Sequence, residues 1–488
     1  MTILEHPAAQ ALLNDALVSP EQLQEFGQRL LPFLQRYTPL FQRSEQRAHA
    51  QMILEGKLSS LSRKTSEPIA HAFGVRDEGL QDFVGSSPWQ DRPLRDVLRQ
   101  HVTEAWGDPN GVLTGDGCDF PKKGVHSVGV KRQHCGRLGK VENCQAGVFL
   151  GYSCRHGHVL LDADLFLPPE WAADNKRRAK AKVPEEVVYK ERWELLLDQL
   201  DTNKDLPHCW FTCDSEFGRI NEFRKGLRER EERYVVDVRA DLRLRDLRAK
   251  PLPRQGQTGR MPSVPPTTSA QEWAAAQPES AWHVITLRYG EKRPLIVEAA
   301  ETWVETFEKH TRVGPIERLC VMRTVNNPES KTWYTLSNAA DEVPLAQVAW
   351  AHSERHWQEA SNKEGKSEIG LGHYEVRSWV GWHHHMTLSL LALWFLAVER
   401  ARGQKKTPAL TPSVLREVMS RLLVLRMLTL EGMTREVNAT LRRKEEARIY
   451  SYYHETGRYP PRRTETSDGP AAWSQEAHAA ERKCQALQ

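Results

Sequence analysis

The chain has 488 residues, 39% of them hydrophobic and 8% aromatic, with fifteen tryptophans. That is ample core material for two or three domains without help from disulfides. Lysine and arginine total 68 against 64 aspartates and glutamates, a net charge of +4. The balance excludes a uniformly basic chain, so any nucleic-acid preference must sit in local clusters. Such clusters occur at Lys122, Lys123, Lys131 and Arg132, in "NKRRAKAK" (175–182), and in the arginine-rich stretch 219–254. The eight cysteines are scattered without a C-x-x-C pair, and Cys209 and Cys213 lack the second pair that a structural zinc site needs, so a reduced, intracellular chain is expected. The first twenty residues have no basic region ahead of an apolar stretch, which reads against secretion. The longest apolar run, 386–398, is interrupted by Thr387 and Ser389 and falls short of the roughly 20 residues a bilayer requires, so it reads as a buried helix.

In chain order, Ser19-Pro20 forms a helix start, with Leu23, Phe26, Leu30, Leu31 and Leu34 at helical spacing behind it. The helical pattern lasts to Trp106 and predicts a helical N-terminal domain over 1–106. After Gly111 the texture turns to short β-branched and aromatic runs: "GVLTGD", "AGVFLGYS" and "HVLLDADLFL". A helix over 185–200, the strand "CWFTCD", a charged helix and the strand "RYVVDV" follow. Three hairpin-like strands, helix, strand, helix, strand predict a mixed α/β sheet over 107–239. Residues 251–271 are rich in Pro, Gly, Ser and Thr and read as a linker or long loop. A hairpin turning at Gly290, then "RLCVMRTV" and "KTWYTLSNA", make 240–343 a β-rich insertion. Helices resume at Pro344 and continue to about Glu446. The remainder, 447–488, is a polar tail, with disorder expected from Arg458 onward.

Two aspartates end apolar runs: Asp116 in "VLTGD" and Asp214 in "CWFTCD". Each is open to reading as a simple turn residue. Together, at the ends of neighbouring strands, they suit Mg²⁺ or Mn²⁺, hard cations that complete their shells with substrate phosphates. A third acid is offered by "HSERHWQEASNKEGK", where His352, Arg355, Glu359 and Lys366 follow one another at spacings of 3, 4 and 7 and share one helical stripe. A solvated face with ordinary Arg355–Glu359 pairing is the plainer alternative. Trp379, Trp382 and His383 to His385 read as core packing or DNA contact, because consecutive histidines on a helix point about 100° apart and cannot share one ion.

Four stretches carry a family resemblance: "DFPKKGVHSVGVKRQHCGRLGKVENCQAGVFLGY", "LFLPPEWAAD", "CDSEFG" and "GLGHYEVRSWVGWHHHMTLSLLA", extended upstream by "RKTSEPIAHAFG" and "LQDFVGSSPW". In these the chain resembles the DDE transposases of bacterial insertion sequences, in the seven-oh-one group, whose third acid lies in a Y-x-x-R-x-x-x-E signature followed by six residues and a lysine. The resemblance implies a ribonuclease-H-like catalytic core interrupted by an insertion before the glutamate helix. Asp116, Asp214 and Glu359 then match the catalytic, metal-binding acids, and Arg355 and Lys366 the arginine and lysine of the signature. The chain departs from it at the tyrosine, where it has His352, and in "GDGCDF", where Asp119 is an alternative to Asp116; Glu375 is an alternative third acid.

On this reading three carboxylates hold two Mg²⁺ ions, with Mn²⁺ as a substitute, for cleavage and strand transfer on double-stranded DNA; the alternatives are a metal-dependent endonuclease that does not join strands and a catalytically inactive, transposase-derived DNA-binding protein. Lys122, Lys123, Lys131, Arg132, Arg355 and Lys366 hold DNA phosphates. Terminal-repeat recognition falls to the N-terminal helices with help from the insertion, and paired-end cutting implies a homodimer. No G-x-x-x-x-G-K-[ST] loop is present, so no nucleotide cofactor is expected. The resemblance places the protein in the bacterial cytoplasm, at the nucleoid.

Overall fold

The computed structural model describes residues 2–250, 266–289, 294–308, 311–325, 331–424 and 430–462. Up to Trp106 the regular elements are helical. The longer helices are α1 (Pro7–Asn14), α2 (Pro20–Gln35), α3 (Ser44–Leu58), α4 (Ser66–Ala72), α5 (Asp77–Gly85) and α6 (Arg92–Trp106). The start read at Ser19-Pro20 is a capping box. Ser19 Oγ accepts from the Gln22 amide at 3.3 Å and Gln22 Oε1 accepts from the Ser19 amide at 3.0 Å.

Strands β1 (Val112–Pro121), β2 (Lys131–Cys135), β3 (Lys140–Cys154) and β4 (Gly157–Leu165) form antiparallel ladders in which β3 pairs with the other three. Short helices α7 (Pro169–Ala172) and α8 (Asn175–Lys180) lead to α9 (Arg192–Asn203). This last helix begins later than its apolar pattern suggests, because Glu191 and Glu194 build a capping box there. Then come β5 (Trp210–Cys213), α10 (Ser215–Gly218), α11 (Asn221–Glu229) and β6 (Tyr234–Val238), with β5 parallel to both β1 and β6.

The segment beyond β6 extends the same sheet. Its strands are β7 (Arg243–Asp246), β8 (Thr268–Ser269), β9 (His283–Tyr289), β10 (Pro294–Glu308), β11 (Thr311–Thr324) and β12 (Thr332–Ser337), with α12 (Ala270–Ala275) between β8 and β9. The hairpin expected at Gly290 is present as the antiparallel β9–β10 pair, although Gly290 itself lies outside the described residues. So does the linker over 251–265. Among the described residues one mixed sheet of twelve strands runs β2-β3-β1-β5-β6-β12-β11-β10-β7-β8, with β4 on β3 and β9 on β10. The join is the antiparallel β6–β12 ladder, from Tyr334 opposite Val238 to Ser337 opposite Val235.

Helices return as α13 (Leu345–Ser353) and α14 (Arg355–Glu364), which ends in a π-helical turn (Gly365–Ile369). They continue as α15 (Trp379–Gln404), α16 (Pro412–Val424) and α17 (Leu430–Thr456). The stripe read as one helix is therefore broken at Glu354, and helix persists past Glu446 to Thr456. The expected disordered tail falls mostly outside the described residues, from 463 onward.

Apolar on all sides, α15 is buried along most of its length. Its Trp382 and Trp394, both fully buried, lie in one core with Phe26 and Leu54 of the N-terminal helices, Leu113 and Phe149 of the sheet, and Leu415 of α16. No described helix is long and apolar enough to cross a membrane. The three histidines are core: His384 stacks on Trp89 with ring centroids 3.5 Å apart, and His385 Nε2 bonds the Leu371 carbonyl at 3.0 Å.

One buried ion pair ties the added strands to α11. Arg224 Nε donates to Glu317 Oε1 at 3.0 Å, Tyr234 Oη donates to the same oxygen at 2.5 Å, and Arg224 Nη1 donates to the Gly218 carbonyl at 2.8 Å. The two side chains are 1% and 0% exposed. Removing one member of such a pair strands a charge in low dielectric, at a cost of about 3–5 kcal/mol. Glu317→Ala is therefore expected to lower the denaturation midpoint sharply, and Arg224→Met combined with Glu317→Leu to recover most of the loss, as read by chemical denaturation.

Candidate active site

Parallel pairing between β1 and β5 ends at Gly115 opposite Cys213. The next residue on each strand is an acid. Asp116 does not end its strand as its apolar run suggested; β1 continues to Pro121, with Asp116 opposite Phe149 of β3. Asp214 does leave the sheet, as N-cap of α10, its Oδ1 accepting the Glu216 amide at 2.9 Å. Both carboxylates thus sit where two parallel strands diverge at their carboxyl ends, the place where open α/β sheets leave a crevice.

The crevice is crowded with negative charge. Burial, and then the charge of Asp214, push the Asp116 carboxyl up to about 8; Glu216 and Glu359 add to the rise and Arg355 opposes it. Asp214 is pushed up to about 6, by burial first and Glu216 second. Glu216 also approaches β1, since a Cβ built on Gly117 would lie 3.0 Å from its Oε2, and its Oε1 is held by Arg192 Nη1 at 2.6 Å.

Helix α14 supplies the opposite wall through residues 355, 358, 359 and 362, one face at i, i+3, i+4 and i+7. Asn362 Nδ2 donates to Asp116 Oδ2 at 2.9 Å, while its Oδ1 is buried without a partner. Gln358 Oε1 accepts from Thr114 Oγ1 at 2.7 Å, and Gly151 of β3 leaves the space that this amide occupies. Within the polar "EASNK" segment, Asn362 is therefore turned toward the acids. Glu359 is half-exposed and pairs with Arg355 Nη1 at 3.0 Å, the ordinary i,i+4 bridge. Arg355 also reaches Asp237 of β6, Nε to Oδ2 at 3.4 Å, and His352 Nε2 meets Asp237 Oδ1 at 2.6 Å. Burial raises the Asp237 carboxyl, but His352 and Arg355 outweigh it and hold the group below its ordinary value.

Lys366, in the π-helical turn, lies against the Cys118 thiol, two residues along β1 from Asp116 and on the same side of the strand. Asp119, an odd step away, is occupied elsewhere: its Oδ2 accepts the Gly136 amide at 2.7 Å. Glu375 pairs with Arg63, both side chains more than half exposed. The basic tract divides. Lys122 is turned inward, its Nζ 3.4 Å from the Tyr374 ring centre and 3.3 Å from the Tyr374 carbonyl, and burial pushes it down to about 8. Lys131 pairs with Glu170 at 2.5 Å. Lys123 and Arg132 are exposed.

Among the described residues no three acidic, histidine or cysteine side chains are arranged to hold a metal ion as they stand. The donor set nonetheless fits a hard dication. Two crowded carboxylates retain protons beyond their usual range, and beside them is an amide oxygen with no donor. Sequence reasoning missed Asn362, Gln358, Glu216 and Asp237. Only the spacing of Gln358 and Asn362 around Glu359 carried a signal for any of them.

Residues 36–294 match the family model described as DDE superfamily endonuclease. The matched stretch contains Asp116 and Asp214 and ends before α14. The chain is also similar to the probable transposase for insertion sequence element IS701 of Microchaete diplosiphon, at 25% identity over 340 residues, covering 67% of this chain and 77% of that protein.

Proposed function

The chain belongs to the DDE superfamily endonucleases, and we propose that it is a DNA transposase that cleaves and joins strands at the ends of its own element. The observation carrying this reading is the pair Asp116 and Asp214 at the point where β1 and β5 diverge, both raised by burial and mutual charge and faced by α14. The strand order β4-β3-β1-β5-β6, with a parallel β1–β5–β6 half, supports a ribonuclease-H-like core over 107–239 and 344–446. The insertion is then 240–343, and the helical region 1–106 takes the terminal repeats.

Asp116, Asp214 and Glu359 would hold two Mg²⁺ ions, or Mn²⁺ in their place. Bound there, such ions supply the positive charge that acidifies an attacking water or 3′-hydroxyl and steadies the leaving oxygen. Asn362 fixes the Asp116 carboxylate in place through its amide N–H. Arg355 and Lys366 flank the crevice with cations for phosphate, and Lys123, just past β1, and Arg132 on β2 offer exposed ones. Lys131 reaches DNA by exchanging Glu170 for phosphate, whereas Lys122 serves by holding the Tyr374 segment against the end of β1. A homodimer on DNA brings two such sites to two ends.

The test is supercoiled DNA carrying the element's ends, incubated with Mg²⁺ or Mn²⁺. Nicking at the ends followed by joining to a target is the expected result. Nicking without joining would make the chain an endonuclease only, and end binding without nicking in either metal would refute the catalytic reading.

A further inference from the structure

Away from the catalytic acids, a cavity of about 250 Å³ lies between α3, α4, α5, the segment over 373–376 and the first half of α15. Two lysines line it, Lys57 and Lys64, 1% and 4% exposed. Lys57 Nζ, with three hydrogens to donate, bonds the hydroxyl of Ser389 at 2.9 Å. Lys64 Nζ donates to the carbonyls of Lys57 and of Ser59, the latter at 2.6 Å. Neither ammonium has a carboxylate partner among the described residues. Of the nearby acids, Glu375 pairs with Arg63 and Glu368 with Arg416 at 2.7 Å, while Glu67 lines the cavity from an exposed position in the first turn of α4. His373 and His385 also line it.

Buried charges are ordinarily paired. Here two buried cations face one cavity with no carboxylate in ion-pair contact with either, and burial drives both lysines down to about 7. A phosphate group is small enough for the space, given that a water occupies about 30 Å³ in the liquid. It would bring the missing charge and accept from the unused lysine N–H groups.

We infer that this cavity is a binding site for a phosphate monoester or free phosphate, held by Lys57 and Lys64. The depth of Lys57 excludes the backbone of an intact duplex, whose phosphates are diesters on a wide, rigid surface. Two sources share the required chemistry: inorganic phosphate and the 5′-phosphate at a DNA strand end. The segment that walls the cavity also carries Tyr374, which holds Lys122 just beyond β1, so an occupied cavity would stiffen the strand that bears Asp116.

The test is thermal unfolding of the full chain at fixed ionic strength, with phosphate at 10 mM against chloride, for wild type, Lys57→Met and Lys64→Met. Each methionine removes a buried charge while keeping most of the side-chain volume. Phosphate is expected to raise the wild-type melting temperature by about 1–3 °C, and to leave both variants unmoved. Short oligonucleotides with a 5′-phosphate or a 5′-hydroxyl then separate the sources: a lysine-dependent shift with the first alone assigns a strand end, and a response to inorganic phosphate alone assigns the free anion. If a variant does not fold, equilibrium dialysis of the wild type with radiolabelled phosphate, competed by unlabelled phosphate and not by chloride, decides the matter through the presence or absence of one saturable site per chain. No shift together with no saturable phosphate binding, or a shift of equal size in folded variants, overturns the assignment.

Discussion

Asp116→Asn is expected to abolish metal-dependent strand cleavage, by at least about 10³-fold, while raising the melting temperature of the metal-free chain. The carboxyl is held at about 8 against an ordinary value of 3.8. Between those pH values the folded chain binds a proton that the unfolded chain has released, so folding stability falls as pH rises through that window. The penalty is absent below about pH 4 and complete above about pH 8. Asparagine carries no charge to desolvate and keeps a carbonyl oxygen for the Asn362 amide. Allowing for water entering an open crevice, the gain is about 1–3 kcal/mol at pH 8 in chelator. Asp214, raised to about 6, contributes in the same direction over a narrower range. Added Mg²⁺ should reverse the order, because a cation held by Asp116 and Asp214 stabilises wild type and has less to grip in the variant. The measurement is thermal unfolding from pH 5 to 9, with and without Mg²⁺. A variant melting no higher than wild type at pH 8 in chelator would show that the acids are not under strain.

What could be read from the residues alone was what local pattern controls. The runs "VLTGD" and "CWFTCD" marked strands because apolar β-branched and aromatic side chains need a covered sheet, and the acids after them stood out by contrast. Burial of α15 followed from its lack of a polar face. Features set by long-range pairing were not legible. Nothing in "KTWYTLSNA" says that β12 joins β6 and makes the insertion part of the same sheet. Asn362 and Gln358 read as solvated helix residues until β1 and β3 are laid against α14. Lys122 looked like an open phosphate contact because sequence records its charge and not the Tyr374 ring beneath it. The departure at His352 gained its meaning only from Asp237, a residue that alternation along "RYVVDV" had made unremarkable.

Glu359→Gln is expected to reduce cleavage by about 10²–10⁴-fold with little change in stability, whereas Glu375→Gln retains it within a few fold. Glu359 loses only a half-exposed bridge to Arg355, the kind worth a few tenths of a kcal/mol, so any large kinetic effect must come from its place beside Asp116. That place is seen in the charge it exerts there, whereas Glu375 is held by Arg63 with its side chain more than half exposed. Glu216 is the more serious rival, since it raises Asp116 and Asp214 alike and its Oε2 is directed toward β1 at Gly117. Its other oxygen is fixed by Arg192, which makes it a shaper of the crevice, and Glu216→Gln is expected to cost about tenfold. The three variants, compared at saturating Mg²⁺ and again at limiting Mg²⁺, separate these roles. A metal-binding acid lost at 359 raises the Mg²⁺ concentration needed for half-maximal cleavage, and a neighbour lost at 216 lowers the rate without moving that midpoint. A midpoint that shifts for Glu216→Gln and stays for Glu359→Gln would transfer the third acid from α14 to α10.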